Sequence, residues 1–113
     1  MSHYLIELYT AKPAWLALSQ DEREHFLSAI DSAMPLLSKA GVEPMTFGRV
    51  DPSQRHPASH GFYAVWRCRD EAALEALVSG IAQSGWHDYF DTINACGEGV
   101  GLIDHLSQLG DLA

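Results

Sequence analysis

Apolar residues in this chain recur at two spacings, every second position and every third or fourth, and the spacing switches several times along its length. In residues 3–9 (HYLIELY) the period is two: Tyr4, Ile6 and Leu8 point one way, Leu5, Glu7 and Tyr9 the other, as in a strand. The first set is uniformly apolar, which assigns it to the face that helices cover. Ala11-Lys12-Pro13 breaks the strand, and Pro13–Leu16 predicts a helical turn that lays Trp15 against the domain. Ser19 followed by Glu22 is a capping box, and Asp21 and Glu22 suit the dipole of the helix they open. Phe26, Ile30, Ala33, Met34 and Leu37 continue at helical spacing. Pro35 predicts a kink or an end near Ala33, and Gly41 a C-terminal stop.

Residues 43–50 (EPMTFGRV) predict a second strand, at a sheet edge because Pro44 has no N–H to donate. After a turn-rich loop over 51–58, residues 60–68 (HGFYAVWRC) form the best strand pattern, carrying Phe62, Tyr63, Val65 and Trp66. Asp70 caps a second helix whose buried stripe is Leu74, Leu77, Val78 and Ile81. Trp86, Tyr89, Phe90 and Ile93 then predict a further short helix. Residues 94–101 (NACGEGVG) predict a turn or bulge feeding a fourth strand over about 100–106, and the tail after Gln108 is expected to be mobile.

Strand, helix, strand, strand, helix, strand is the βαββαβ order of a ferredoxin-like α+β sandwich with a four-stranded antiparallel sheet. The length of 113 residues fits one such domain, 1–113. Strands one and three carry large apolar groups on both sides, and two helices cover only one face. Tyr9 and either Tyr63 or Trp66 are therefore expected opposite the helices. A second copy that packs open face against open face buries this surface, at ~25 cal/mol per Å² of apolar area. A homodimer through the open sheet face is the expected assembly.

The net charge of −8 disfavours nucleic acid and anionic membrane as partners, since both select basic surface. Cys68 and Cys96 have no metal or redox spacing, and strand one is expected between their strands, so no disulfide is predicted. No leader-like N-terminus and no membrane-length apolar run is present in the sequence, which suggests a reduced, cytoplasmic protein.

The element order, together with the segments Gly85-Trp86-His87-Asp88-Tyr89-Phe90-Asp91 and Pro13-Ala14-Trp15-Leu16-Ala17-Leu18-Ser19, resembles the dimeric α/β-barrel superfamily and within it a small bacterial subfamily of unknown activity. The resemblance implies two ferredoxin-like sheets sharing a barrel. It implies activities among monooxygenases acting on aromatic substrates, haem-degrading enzymes, muconolactone isomerases and non-catalytic members. Haem degraders of this kind set Asn, Trp and His around the porphyrin. All three types occur here without alignable spacing, so no catalytic residue carries over. No cofactor is predicted, with haem as an alternative.

Glu7 and Tyr9 alternate with the helix-facing set and are expected in the barrel, together with Arg49. A carboxylate, a phenol and a guanidinium around an apolar space suit a small apolar or aromatic ligand; they equally suit an interfacial ion-pair network that fixes dimer register. Trp66 and Trp86 could stack on a planar ligand or anchor core and interface. His87, between Trp86 and Asp88, is either a base or a surface histidine on a short helix. His60 is placed at a pocket mouth. His60 with His56 and Asp51 has irregular spacing, so no metal site is predicted. The function these residues suggest is small-molecule binding, with a monooxygenase-like or isomerase-like enzyme and a non-catalytic dimeric module as alternatives.

Overall fold

The computed structural model describes residues 2–113. Strand β1 (His3–Ala11) leads through a short helix α1 (Pro13–Leu16) into α2 (Gln20–Lys39), followed by β2 (Val42–Arg49) and β3 (Phe62–Cys68). Helices α3 (Glu71–Gln83) and α4 (Trp86–Tyr89), strand β4 (Phe90–Glu98) and helix α5 (Leu102–Gly110) complete the chain. The four strands pair antiparallel in the order β2-β3-β1-β4, which is the ferredoxin-like α+β arrangement. β2 is an edge, as Pro44 predicts. Among the described residues no helix is long and apolar enough to cross a membrane.

The helix ends follow their sequence signals. The Ser19 hydroxyl accepts the Glu22 N–H at 3.2 Å while the Glu22 carboxylate accepts the Ser19 N–H at 2.9 Å, closing the capping box. Asp70 accepts the Ala73 N–H at 2.8 Å and starts α3. Gly41, beyond the end of α2, has φ +97°, a value that favours glycine. α2 does not stop near Ala33; it runs on through Pro35 to Lys39. The proline deletes one intrahelical hydrogen bond, and the turns on either side carry the helix past it.

The core lies between the sheet and α3. Leu5, Ala64, Trp66 and Cys68 from the sheet meet Ala73, Leu74 and Leu77 from α3, with Val42 at the β2 side. This reverses the face assignment of β1. Leu5 is fully buried and Ile6 is 44% exposed, so Leu5, Glu7 and Tyr9 face the helices while Tyr4, Ile6 and Leu8 lie on the open face. Register carries the correction across: Trp66 opposite Leu5 faces the helices, and of the expected aromatic residues only Tyr63 lies on the open side. The cause is that both faces of β1 are apolar, so alternation alone does not orient it.

The C-terminal third also differs from expectation. Helical pattern from Trp86 ends at Tyr89, and Phe90–Glu98 is the fourth strand rather than helix and turn. Thr92 and Ile93 are β-branched, and the segment gains a full antiparallel ladder on β1, from His3↔Glu98 to Ala11↔Phe90. The stretch read as strand four is instead α5, which runs past Gln108 to Gly110. Cys68 and Cys96 are both free thiols, on β3 and β4 with β1 between.

Candidate functional site

Sheet register sets out the helix-covered face as rows across the strands. One row holds Phe47, Ala64, Glu7 and Asn94; the next holds Arg49, Phe62, Tyr9 and Thr92. A carboxyl in the middle of a sheet face has to be there for a reason, because desolvating it without partners costs several kcal/mol. Glu7 is 4% exposed. Its hydrogen-bond partner is the Trp66 indole, whose Nε1–H donates to Oε1 at 2.8 Å. Ala64, the small residue beside Glu7, leaves lateral room for the Trp66 ring and for Phe47, which meets Trp66 edge-on at 5.1 Å.

Aromatic rings enclose the other side. Tyr9 stacks on Phe62 at 5.8 Å and meets Trp86 edge-on at 5.1 Å. Trp86 stacks on Phe90 at 4.0 Å, and its Nε1–H donates to Thr92 Oγ1 at 3.1 Å. Trp15, Phe26 and Tyr89 extend the cluster beneath α2. α2 itself has no fully buried side chain, so it lies over the sheet as a loosely seated cover.

The electrostatics follow from burial. Desolvation raises the Glu7 carboxyl above its ordinary pKa; the Trp66 hydrogen bond and the nearby His87 pull the other way without cancelling it. Burial also raises Tyr9, and the Glu7 charge adds to that. A carboxyl whose pKa burial raises holds its proton to higher pH than an exposed one does.

Of the residues named from sequence, Glu7, Tyr9, Trp66 and Trp86 come together, on the helix side of the sheet and not in a barrel between two sheets. Arg49 shares that face but is exposed at the β2 rim, its guanidinium 5.7 Å from the Phe62 ring. His87 is exposed, its carbonyl held by the Lys12 ammonium at 2.6 Å, and its ring is near enough to pull the Glu7 pKa down. His60 stands apart at the sheet end, with Nε2 3.6 Å from the Asp91 carboxylate. Phe47, Phe62, Phe90 and Asn94 were not named as site residues from sequence; once β1 is oriented by Leu5, the sheet register brings them beside Glu7 and Tyr9.

Two prominent surface hollows lie elsewhere. One, of about 700 Å³, is on the open face between Tyr4, Ile6, Ala95 and Val100. The other, of about 410 Å³, lies at the sheet corner between Glu43, Arg67 and Arg69. Neither is lined by a histidine. A haem needs a flat hollow with an axial imidazole, and around Glu7 the rings already fill the space against one another. The residues present do not fit a haem. Among the described residues no three His, Cys, Asp or Glu side chains gather as a metal site.

This architecture defines a ferredoxin-like protein. The chain belongs to DUF6616, a family of unknown function whose match spans residues 2–112. No curated protein matches it. Among solved structures it is similar to a mutant chlorite dismutase from Candidatus Nitrospira defluvii, with TM-score 0.63, 6% identity, and 92% of this chain against 43% of that one. The chain spans less than half of such chlorite dismutase structures, 48% in another instance. It is also similar to a DABB family protein with a ferredoxin-like fold from Mesorhizobium loti (TM-score 0.52, 18% identity, 88% of this chain and 98% of that one). A third is a dimeric ferredoxin-like protein of unknown function from Thermobifida fusca (TM-score 0.56, 15% identity, 88% and 92%).

Proposed function

We propose that this is a single-domain, homodimeric small-molecule-binding protein that takes an apolar or aromatic ligand with one hydrogen-bonding group. The ligand site is the helix-side cluster of Glu7, Tyr9, Trp66 and Trp86, entered past Phe47 and Arg49 as α2 gives way. The observation that carries this reading is Glu7 itself. An apolar core of this kind has no packing use for a carboxyl, whereas a ligand hydroxyl or carbonyl does. The dimer reading is supported by the exposed apolar residues of the open face, Ile6 and Ile93, and by the dimeric ferredoxin-like proteins among the structures similar to it.

If the protein is an enzyme, an isomerase-like proton transfer asks least of it, because Glu7 can take a proton from one ligand atom and return it to another. A monooxygenase-like reaction would also need dioxygen as the oxidant. The mutual packing of the rings around Glu7 favours the second reading, a non-catalytic dimeric module that binds a metabolite without turning it over.

The test is a fluorescence titration with 1-naphthol, a neutral aromatic carrying one hydroxyl. The expected result is saturable quenching of tryptophan emission, with the dissociation constant raised at least tenfold in Glu7→Gln and no loss of thermal stability, where tenfold is ~1.4 kcal/mol. The same affinity in wild type and variant, or no saturation by about 1 mM, refutes the site.

A further inference from the structure

The C-terminal helix is at odds with the rest of the chain. Every residue from Leu102 to Ala113 is exposed, and α5 buries no side chain. Yet Leu102, Ile103, Leu106 and Leu109 fall on one stripe, with Leu102 70% and Ile103 75% exposed. Helices shorter than ~12–15 residues are marginal in water, and this one has nine, with Gly101 at its N-cap and no side-chain cap. A stripe of leucines on a helix too short to stand alone is a surface made to be covered. The radius of gyration, 16.0 Å, exceeds the about 13 Å of a compact chain this long, and the longest dimension is 50 Å.

The direction of α5 is fixed at its root. Gly99 donates its N–H to the Ser2 carbonyl at 2.9 Å, and a Cβ at Gly99 would overlap the Tyr4 ring. Tyr4 belongs to the open face, so the backbone leaves β4 across that face, away from α2 and α3. The hollow of about 700 Å³ opens beside this crossing, floored by Tyr4, Ile6 and Ala95 and walled by Val100. The chain therefore offers an unpartnered apolar helix and an unfilled apolar groove on the same side.

We propose that α5 is an exchanged arm. In a two-fold dimer built on the open faces, the Leu102–Ile103–Leu106–Leu109 stripe of each protomer lies in the groove of the other. This rests on the dimer part of the functional reading and is independent of the Glu7 site. Area favours a second copy as occupant. Four strands at ~4.8 Å and seven residues at ~3.3 Å give the open face a footprint of roughly 450 Å². Specific interfaces bury roughly 600–1,000 Å² from each partner. A nine-residue helix, at ~1.5 Å per residue and ~10 Å across, adds roughly 140 Å² of new surface to each protomer, while the groove that its twin fills already belongs to the sheet face. The sum, roughly 590 Å², reaches the lower end of that range, and the sheet face alone falls short of it. Charge disfavours a lipid surface: α5 has Asp104 and no Lys or Arg, where interfacial helices carry basic residues.

Sedimentation equilibrium of the full chain, paired with hydrogen exchange, tests the exchange. Because Ile103 and Leu106 are exposed in the protomer, Ile103→Asp and Leu106→Asp leave the folded core, read by the near-ultraviolet circular dichroism of Trp15, Trp66 and Trp86, unchanged. Each is expected to raise the dimer dissociation constant at least tenfold. In wild type the amides of 105–110 are expected to be protected in the dimer and to lose protection on dilution in step with it. Three results overturn the arm. Variants that dimerise like wild type while Ile93→Asp does not would leave the dimer reading intact and remove the exchange. Protection that persists in the monomer would put α5 on its own protomer. A chain monomeric at every concentration would remove the arm and the dimer together.

Discussion

Replacing Trp66 with Phe isolates the one hydrogen bond that Glu7 makes inside the core. The substitution keeps a ring beside Phe47 and removes the Nε1–H that lies 2.8 Å from Glu7 Oε1. With Glu7 ionised, losing a hydrogen bond to a buried charge costs about 1.5–3 kcal/mol; with Glu7 protonated the lost bond is neutral and costs about 0.5–1.5 kcal/mol. The smaller ring also forfeits about two buried carbons, worth ~1.5 kcal/mol at either pH. The total is about 3–4.5 kcal/mol when Glu7 is charged and about 2–3 when it is not. Urea denaturation followed by far-ultraviolet circular dichroism at pH 4 and pH 8, at one protein concentration so that association cancels, should show a penalty about 1–1.5 kcal/mol larger at pH 8. In the Glu7→Gln background that extra penalty should vanish. A Trp66→Phe penalty that is the same at both pH values, or unchanged by Glu7→Gln, would refute the account of Glu7 as a buried acid held by the indole.

Two further outcomes follow from the core. Burial raises the Glu7 pKa from its reference of 4.5, so its folded form binds a proton more tightly than the unfolded chain does. Wild-type stability contributed at this position is thus full below pH 4.5 and falls as pH rises through the shifted value; Glu7→Gln should gain on wild type over that rise, and a constant gap would count against it. Leu77, 1% exposed where α3 meets the sheet, anchors the core; Leu77→Ala should cost about 2–5 kcal/mol by thermal or chemical denaturation, and a loss below 1 would mean that α3 repacks.

Helix caps, the edge strand and the strand-rich centre were legible in the sequence because each has a local cause. Ser19 with Glu22, Asp70, Gly41 and Pro44 act within a few residues of themselves. The orientation of β1 was not legible. Tyr4, Ile6 and Leu8 look more like a core face than Leu5, Glu7 and Tyr9 do, because the chain buries a carboxyl and leaves isoleucine out. Glu7, Tyr9, Trp66 and Trp86 were found as residue types, whereas the face that Glu7 and Tyr9 occupy depended on that single orientation and came out on the other side of the sheet. β4 was missed because Trp86, Tyr89, Phe90 and Ile93 satisfy a helical period while the ladder to β1, a pairing across about 90 residues, decides the outcome. α5 was missed for the complementary reason: a short apolar run reads as a strand or a helix until its neighbours are known.

The rims of the sheet carry their own message. Along β2 the ladder is interrupted between Pro44 and Thr46, and along β4 the outer rim carries Asp91 and Glu98. A missing amide, a slipped register and rim carboxylates are poor templates for another strand. Growth by adding chains edge to edge, the route to fibres, is thereby discouraged at both margins. Ile6 and Ile93 point out of the plane of the sheet, and contacts made there can close on themselves and stop.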